Sequence, residues 1–176
     1  MKMNIKVFIV FLSMVVLCGC HIYTMRTNTK APNMDDVSTI GLDITKTITL
    51  MNTLTDAGDE EIGVWTGWKV FGNYYKFTES AIGATKSILE RGNVKVTNNG
   101  EKNLALTVHD VKSSQGRVFT VLTSLRVKTG DGLVKEYSVS KNHANGYGTT
   151  TIIEKNIADC VGQMLNDKDI VNYLVN

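Results

Sequence analysis

Cysteine is the residue with the most chemistry to offer in this chain, and its three copies sit in different company. Cys18 and Cys20 close an uncharged run in the order Leu17-Cys18-Gly19-Cys20. Cys160 falls on an apolar stripe, where a thiol behaves as a small hydrophobe rather than as a nucleophile. The other reactive side chains do not assemble. The sequence has no Gly-x-Ser-x-Gly, no His-Glu-x-x-His and no pair of cysteines spaced for zinc. His109 adjoins Asp110, but neighbours on a strand point to opposite faces, so no dyad is expected. His143 lies in a polar loop, and both histidines read as surface residues. Asn145-Gly146-Tyr147-Gly148 precedes a helix whose free N–H groups near Thr149 to Thr151 would suit an anion. The spacing is not that of a phosphate loop and no Lys follows the glycines, so a turn and a cap account for it. No catalytic residue and no metal site are expected.

Residues 1–20 carry the strongest signal. Lys2 and Lys6 form a basic head, and Val7 to Cys18 is an apolar run too short to span a bilayer comfortably. Leu17-Cys18-Gly19-Cys20 resembles the lipobox of bacterial lipoproteins, which implies recognition of Leu17, Cys18 and Gly19 by the signal peptidase and cleavage before Cys20. That resemblance also implies covalent S-diacylglycerol and N-acyl groups on Cys20, and no other cofactor. The alternatives are an uncleaved membrane anchor or an ordinary signal with a chance cysteine; hydrophobic length and flanks suit cleavage better. Two or three acyl chains anchor a domain durably where one does not. The residue after Cys20 is His21 rather than the Asp associated with inner-membrane retention, which by resemblance implies the outer membrane.

The segment 1–19 holds two of the 19 basic residues and none of the 17 acidic ones, so the remainder has a formal net charge of zero. That balance gives no reason to expect nucleic acid as a partner. With Cys18 removed and Cys20 acylated, Cys160 is left without a disulfide partner. The expected organisation is a signal peptide over 1–19, a lipidated Cys with a flexible polar tether over 20–36, and a single domain over 37–176.

Six of the 13 aromatic residues fall between Trp65 and Phe77, with Gly63, Gly67 and Gly72 among them. Trp and Tyr supply large amphipathic contacts, so Trp65, Trp68, Tyr74 and Tyr75 are candidate contacts for a partner protein, a glycan or the membrane interface. The plainer reading is that these rings cover one end of a sheet.

The elements that must position these residues follow from periodicity. Residues 44–54 read as a strand, and the Gly-rich aromatic segment as a strand followed by a loop. Thr78 to Arg91 reads as a helix with Ala81, Ile82, Thr85, Ile88 and Leu89 on one face, Glu79 in its first turn and Gly92 after its end. Val94 and Val96 suggest a short strand. Alternation at Leu104, Leu106 and Val108, then at Phe119, Val121, Leu125 and Val127, with turns at 113–116 and 130–132, predicts a three-stranded antiparallel meander over 103–140. Ile153, Ile157, Cys160, Val161, Met164 and Leu165 mark a second helix, opened by a capping box of Thr151 and Glu154. Asn166 and Asp167 break it before a short terminal helix with Ile170, Tyr173 and Leu174. The expected fold class is α+β, a mostly antiparallel sheet with two main helices packed on one face.

The lipobox, the passage from Thr78 to Ser140 and the ending Ile153 to Leu174 together resemble the YajG-type outer-membrane lipoproteins. The resemblance implies a non-enzymatic envelope lipoprotein facing the periplasm, held to the membrane by its lipid anchor and acting as an assembly, accessory or protein-binding factor with an envelope protein as partner. The alternative is a periplasmic carrier that binds a lipid or glycan between helix and sheet. A third class, an envelope hydrolase, would need a nucleophile–base pair that the sequence does not display.

Overall fold

A computed structural model describes residues 24–27, 29–32, 34, 44–65, 67–116, 118–143 and 148–176. Seven strands form one sheet: β1 (Thr24–Arg26), β2 (Ile48–Asn52), β3 (Glu60–Trp65), β4 (Trp68–Gly72), β5 (Lys102–Gln115), β6 (Phe119–Thr129) and β7 (Val134–His143). The helices are α1 (Tyr74–Arg91), α2 (Thr149–Asn166) and α3 (Lys168–Val175). The order across the sheet is β1-β4-β3-β5-β6-β7, with β2 also on β5. β3/β4, β5/β6 and β6/β7 are antiparallel, whereas β1/β4, β2/β5 and β3/β5 are parallel. This is the expected α+β class, with a mixed but mostly antiparallel sheet.

The meander is β5, β6 and β7. Alternation turns Leu104, Leu106 and Val108 inward until a bulge between Val108 and Asp110, after which Val111 and Ser113 take the inward positions. On β6 the inward row is Phe119, Val121, Thr123, Leu125, Val127 and Thr129, all buried. α2 packs on β6 and β7, and α1 packs on β5 and β2. The α2 stripe of Ile153, Ile157, Cys160, Val161, Met164 and Leu165 is buried throughout. Each such side chain contributes about 1.5–3 kcal/mol by leaving water. Asp167 closes α2 and caps α3 by accepting the Asp169 N–H at 2.9 Å, and Ile170 and Leu174 are buried beneath it.

Several local readings change, among them the turn expected at 113–116, where β5 runs on to Gln115, and the loop expected at His143, which is the last residue of β7. The aromatic segment is a hairpin running straight into a helix, not a strand and a loop: α1 begins at Tyr74, one turn before Thr78. Asn73 caps it by accepting the Lys76 N–H at 3.0 Å, and Phe77 becomes fully buried. Tertiary burial thus overrides the strand preference of a Tyr-Tyr-x-Phe run. Glu79 consequently lies past the first turn, where it accepts from the Asn52 side chain at 2.8 Å. The expected capping box is absent, because α2 starts at Thr149 and Gly148 is its cap; Glu154 instead accepts the Lys30 N–H at 2.9 Å. Val96 makes an isolated bridge to Ile48 rather than a strand.

The segment expected as a tether also joins the fold. Thr24–Arg26 pairs with β4 as β1, the Lys30 carbonyl accepts from Ser80 at 2.6 Å, and Met34 is buried in the core. A short polar strand needs only a free sheet edge for its backbone, which β4 supplies. Residues 37–43 of the expected domain lie outside the described residues.

Candidate functional site

Of the residues expected to make contacts, Trp65 and Trp68 are brought together. They face each other at the tip of the β3–β4 hairpin, where Gly67 takes a φ of 80°. Both rings are partly exposed, and Trp65 packs against the core. Gly63 stands beside Ser113, so Trp65, two residues on, is level with the end of β5 and the turn to β6. Glycine is required there: a Cβ on Gly63 would lie 2.1 Å from the Ser113 carbonyl oxygen. Val64 and Val118 are exposed at the same end, at 45% and 47%.

Tyr74 and Tyr75 lie at the opposite end of β4, roughly 13 Å away at about 3.3 Å per residue. They form the first turn of α1, with different duties. The Tyr74 hydroxyl donates to the Val111 carbonyl and accepts from the Val111 N–H, both at 3.3 Å, and its ring meets Phe77 edge-on at 5.9 Å. Burial raises the pKa of that hydroxyl above its ordinary value. Tyr74 is therefore a tie between helix and sheet. Tyr75 lines a cleft of ≈ 300 Å³ between α1 and the loop that joins β2 to β3, together with Leu54, Ala57, Glu60 and Asn73.

Asp56 organises that loop. Its Oδ1 accepts from the Asn73 side chain at 2.7 Å and from the Gly58 N–H at 3.0 Å. These two bonds hold the carboxyl below its ordinary range. Residues 55–61 read from sequence as a polar turn or loop, which 55–59 are, while Glu60 and Glu61 begin β3. Neither Asp56 nor Asn73 is among the expected contacts, although Asp-x-Gly marks a side-chain turn and Asn before a helix marks a cap. The expected single aromatic surface is therefore two pairs at the two ends of one hairpin.

The remaining candidates do not build a reaction centre. The bulge after Val108 turns both His109 and Asp110 toward the helix-free face of the sheet, correcting the expected alternation. They still do not pair: His109 Nε2 is 3.7 Å from Glu136, and Asp110 accepts from Lys112 at 2.9 Å. Cys160 is fully buried, with its thiol at 3.5 Å from the Tyr137 carbonyl, and burial, with the nearby Asp159 charge, pushes its pKa up to about 12. His143 lies at the end of β7, beside a cleft with Lys141 and Lys155. Asn145, Gly146 and Tyr147 are outside the described residues, as are Leu17, Cys18, Gly19 and Cys20. Among the described residues there is no group of three acidic, His or Cys side chains able to hold a metal, and no helix long and apolar enough to cross a membrane.

No protein-family model matches the chain, and no curated protein matches its sequence. In structure the chain is similar to protein XCC0632 of Xanthomonas campestris, from the family DUF330, with 12% identity, a TM-score of 0.45, and coverage of 89% of this chain and 95% of that one. It is also similar to an uncharacterized protein at 8% identity and a TM-score of 0.43, covering 82% of this chain and 96% of the other.

Proposed function

We propose that this chain is a lipid-anchored, non-enzymatic envelope lipoprotein of the YajG type, held at the outer membrane and facing the periplasm. Its role in this reading is that of an assembly, accessory or protein-binding factor. The observation that carries the reading is where the chain enters the fold. β1 joins the sheet edge at Thr24, only four residues after Cys20. An acylated Cys20 would then hold the folded body directly at the bilayer instead of on a long leash. Confinement of this kind raises the effective concentration of the domain for a membrane-bound partner without any new contact.

The surface for that partner is the cleft at Tyr75. It lies away from the end where the chain enters, and its loop is tied to the start of α1 by the Asn73–Asp56 hydrogen bond. The carrier alternative would need room between helix and sheet. That space is filled by Phe77, Leu89, Leu106, Leu125, Ile157 and Met164, all fully withdrawn from solvent.

The test is expression of the wild-type precursor and a Cys20→Ala variant in a bacterium, followed by intact mass, membrane fractionation and photo-cross-linking from position 75. A mature mass starting at Cys20 with added acyl chains, outer-membrane retention lost in the variant, and a discrete envelope-protein adduct are expected. Unacylated wild-type protein in the soluble fraction would overturn the anchor. A ligand co-purifying with the folded chain in native mass spectra would favour the carrier.

A further inference from the structure

We infer that the Trp65–Trp68 tip of the β3–β4 hairpin is a membrane-interface contact, seating the domain against the phospholipid bilayer that carries its own anchor; this rests on the lipoprotein reading of Cys20. Strand direction is the first support. β1 runs parallel to β4 with Thr24 beside Lys69, one residue past Trp68. Thr24, the first residue of β1, therefore lies at the hairpin tip, not at the Tyr75 end. Neighbouring strands lie about 4.8 Å apart. Four residues reach at most about 14 Å, so with the one strand spacing between Thr24 and β4 an acylated Cys20 keeps the tip within about 19 Å of the headgroups.

The far end of the sheet has no such option. β5 is 14 residues long, which extends the sheet roughly 43 Å at 3.3 Å per residue. Of its two ends, only the one bearing Trp65 and Trp68 lies within the reach of the anchor.

The chemistry of that end suits the interface. Indole rings are amphipathic and concentrate at headgroup level, with the ring body toward the acyl chains and the N–H toward water. Both Trp rings are partly exposed there. Val64 and Val118, two of the five large hydrophobic residues left exposed among the described residues, share the same end. Glu61, four residues before Trp65, is paired with Lys69 at 2.6 Å, so its charge does not stand alone against anionic headgroups. The helix-free face of the sheet is the other surface that could lie on a bilayer. It carries Arg126, Glu136, Lys112 and Asp110, whose ion pairs keep it wetted.

Trp65 and Trp68 are the only two tryptophans in the chain, so its indole emission reports on the tip alone. The acylated full-length protein is reconstituted into phosphatidylethanolamine–phosphatidylglycerol vesicles, with and without lipids brominated near the headgroup end of the acyl chain. Flotation of the vesicles reports the anchor, and quenching reports the contact. Emission in the floated protein is expected to fall with brominated lipid, because indoles at headgroup level lie beside the bromine atoms. Trp65→Phe and Trp68→Phe variants, each with one indole left, assign the quenching to its ring. Floated protein whose emission is the same in both vesicles would overturn the contact while leaving the anchor standing. Protein that neither carries acyl chains nor floats would overturn both.

Discussion

Thr78 Oγ1 accepts the Val108 N–H at 2.9 Å while donating its own proton to the Tyr74 carbonyl, also at 2.9 Å. The bond sits where the sheet is incomplete. β2 pairs with β5 as far as Leu106, and β3 next meets β5 at Ser113. The 12 residues from Asn52 to Gly63 accompany only eight along β5, Leu106 to Ser113, so the excess leaves the sheet as a loop. Backbone groups of β5 opposite that loop need other partners. Thr78 serves Val108 and Tyr74 serves Val111, both reaching down from α1.

Replacing Thr78 by Val keeps the shape and removes the acceptor from a fully buried N–H. A loss of about 1–3 kcal/mol in urea unfolding is expected, since a stranded buried donor costs its full desolvation. Thr78→Ser, which restores the oxygen, should recover most of it. A stable Thr78→Val beside a destabilised Thr78→Ser would mean that the methyl group, not the hydrogen bond, is what matters.

Gly63 lets β3 approach β5. With a Cβ only 2.1 Å from the Ser113 carbonyl oxygen, Gly63→Ala must push the hairpin off the sheet. The expected cost is about 1–3 kcal/mol, as for other overpacked sites. Gly58, at a φ of 92° with nothing near its missing Cβ, is the control. There Ala carries only the backbone penalty, about 1–2 kcal/mol. The melting temperature should drop further for Gly63→Ala, and tryptophan emission should change only in that variant.

Acid should loosen the loop between β2 and β3 before it unfolds the domain. The Asp56 carboxyl is held below its ordinary value of 3.8 by Asn73 and by the Gly58 N–H. A depressed folded value means that its contribution is present above the unfolded pKa and is lost as pH falls through the folded one. The protection of the Gly58 N–H against hydrogen exchange, relative to the intrinsic rate at each pH, should therefore fall below about pH 4. In Asp56→Asn the acid step should disappear; a step that persists there belongs to another carboxylate.

The Cys160 thiol should be silent in the native protein. Burial favours the neutral form and moves its pKa from 9.0 up to about 12. Thiol reagents at neutral pH should react only as fast as the domain opens, with a large rate increase in denaturant. Because the folded pKa is raised, the stabilisation is complete below pH 9 and declines as pH rises toward 12. Rapid labelling without denaturant would show an access route to the core.

Sequence by itself determined the elements whose signals are local. The α2 stripe from Ile153 to Leu165, the alternation of β5 and β6 and the break at Asp167 are each set by neighbours within one or two turns, and all appear in the fold. The Leu17–Cys20 motif belongs to the same kind of reading and lies outside the described residues. What the tertiary structure decided is pairing between distant segments. The parallel placement of β2 and β3 on β5 depends on α1 as a crossover, and no single stretch records it. The start of α1 at Tyr74 depends on Phe77 being buried, which outweighs the strand preference of its own sequence. The His109 bulge resets which side chains share a face, so counting by twos fails there. The separation of Trp65 and Trp68 from Tyr74 and Tyr75 has the same origin. Sequence proximity made one aromatic cluster, and the length of a five-residue strand made it two ends, one beside the chain entry and one beside a cleft.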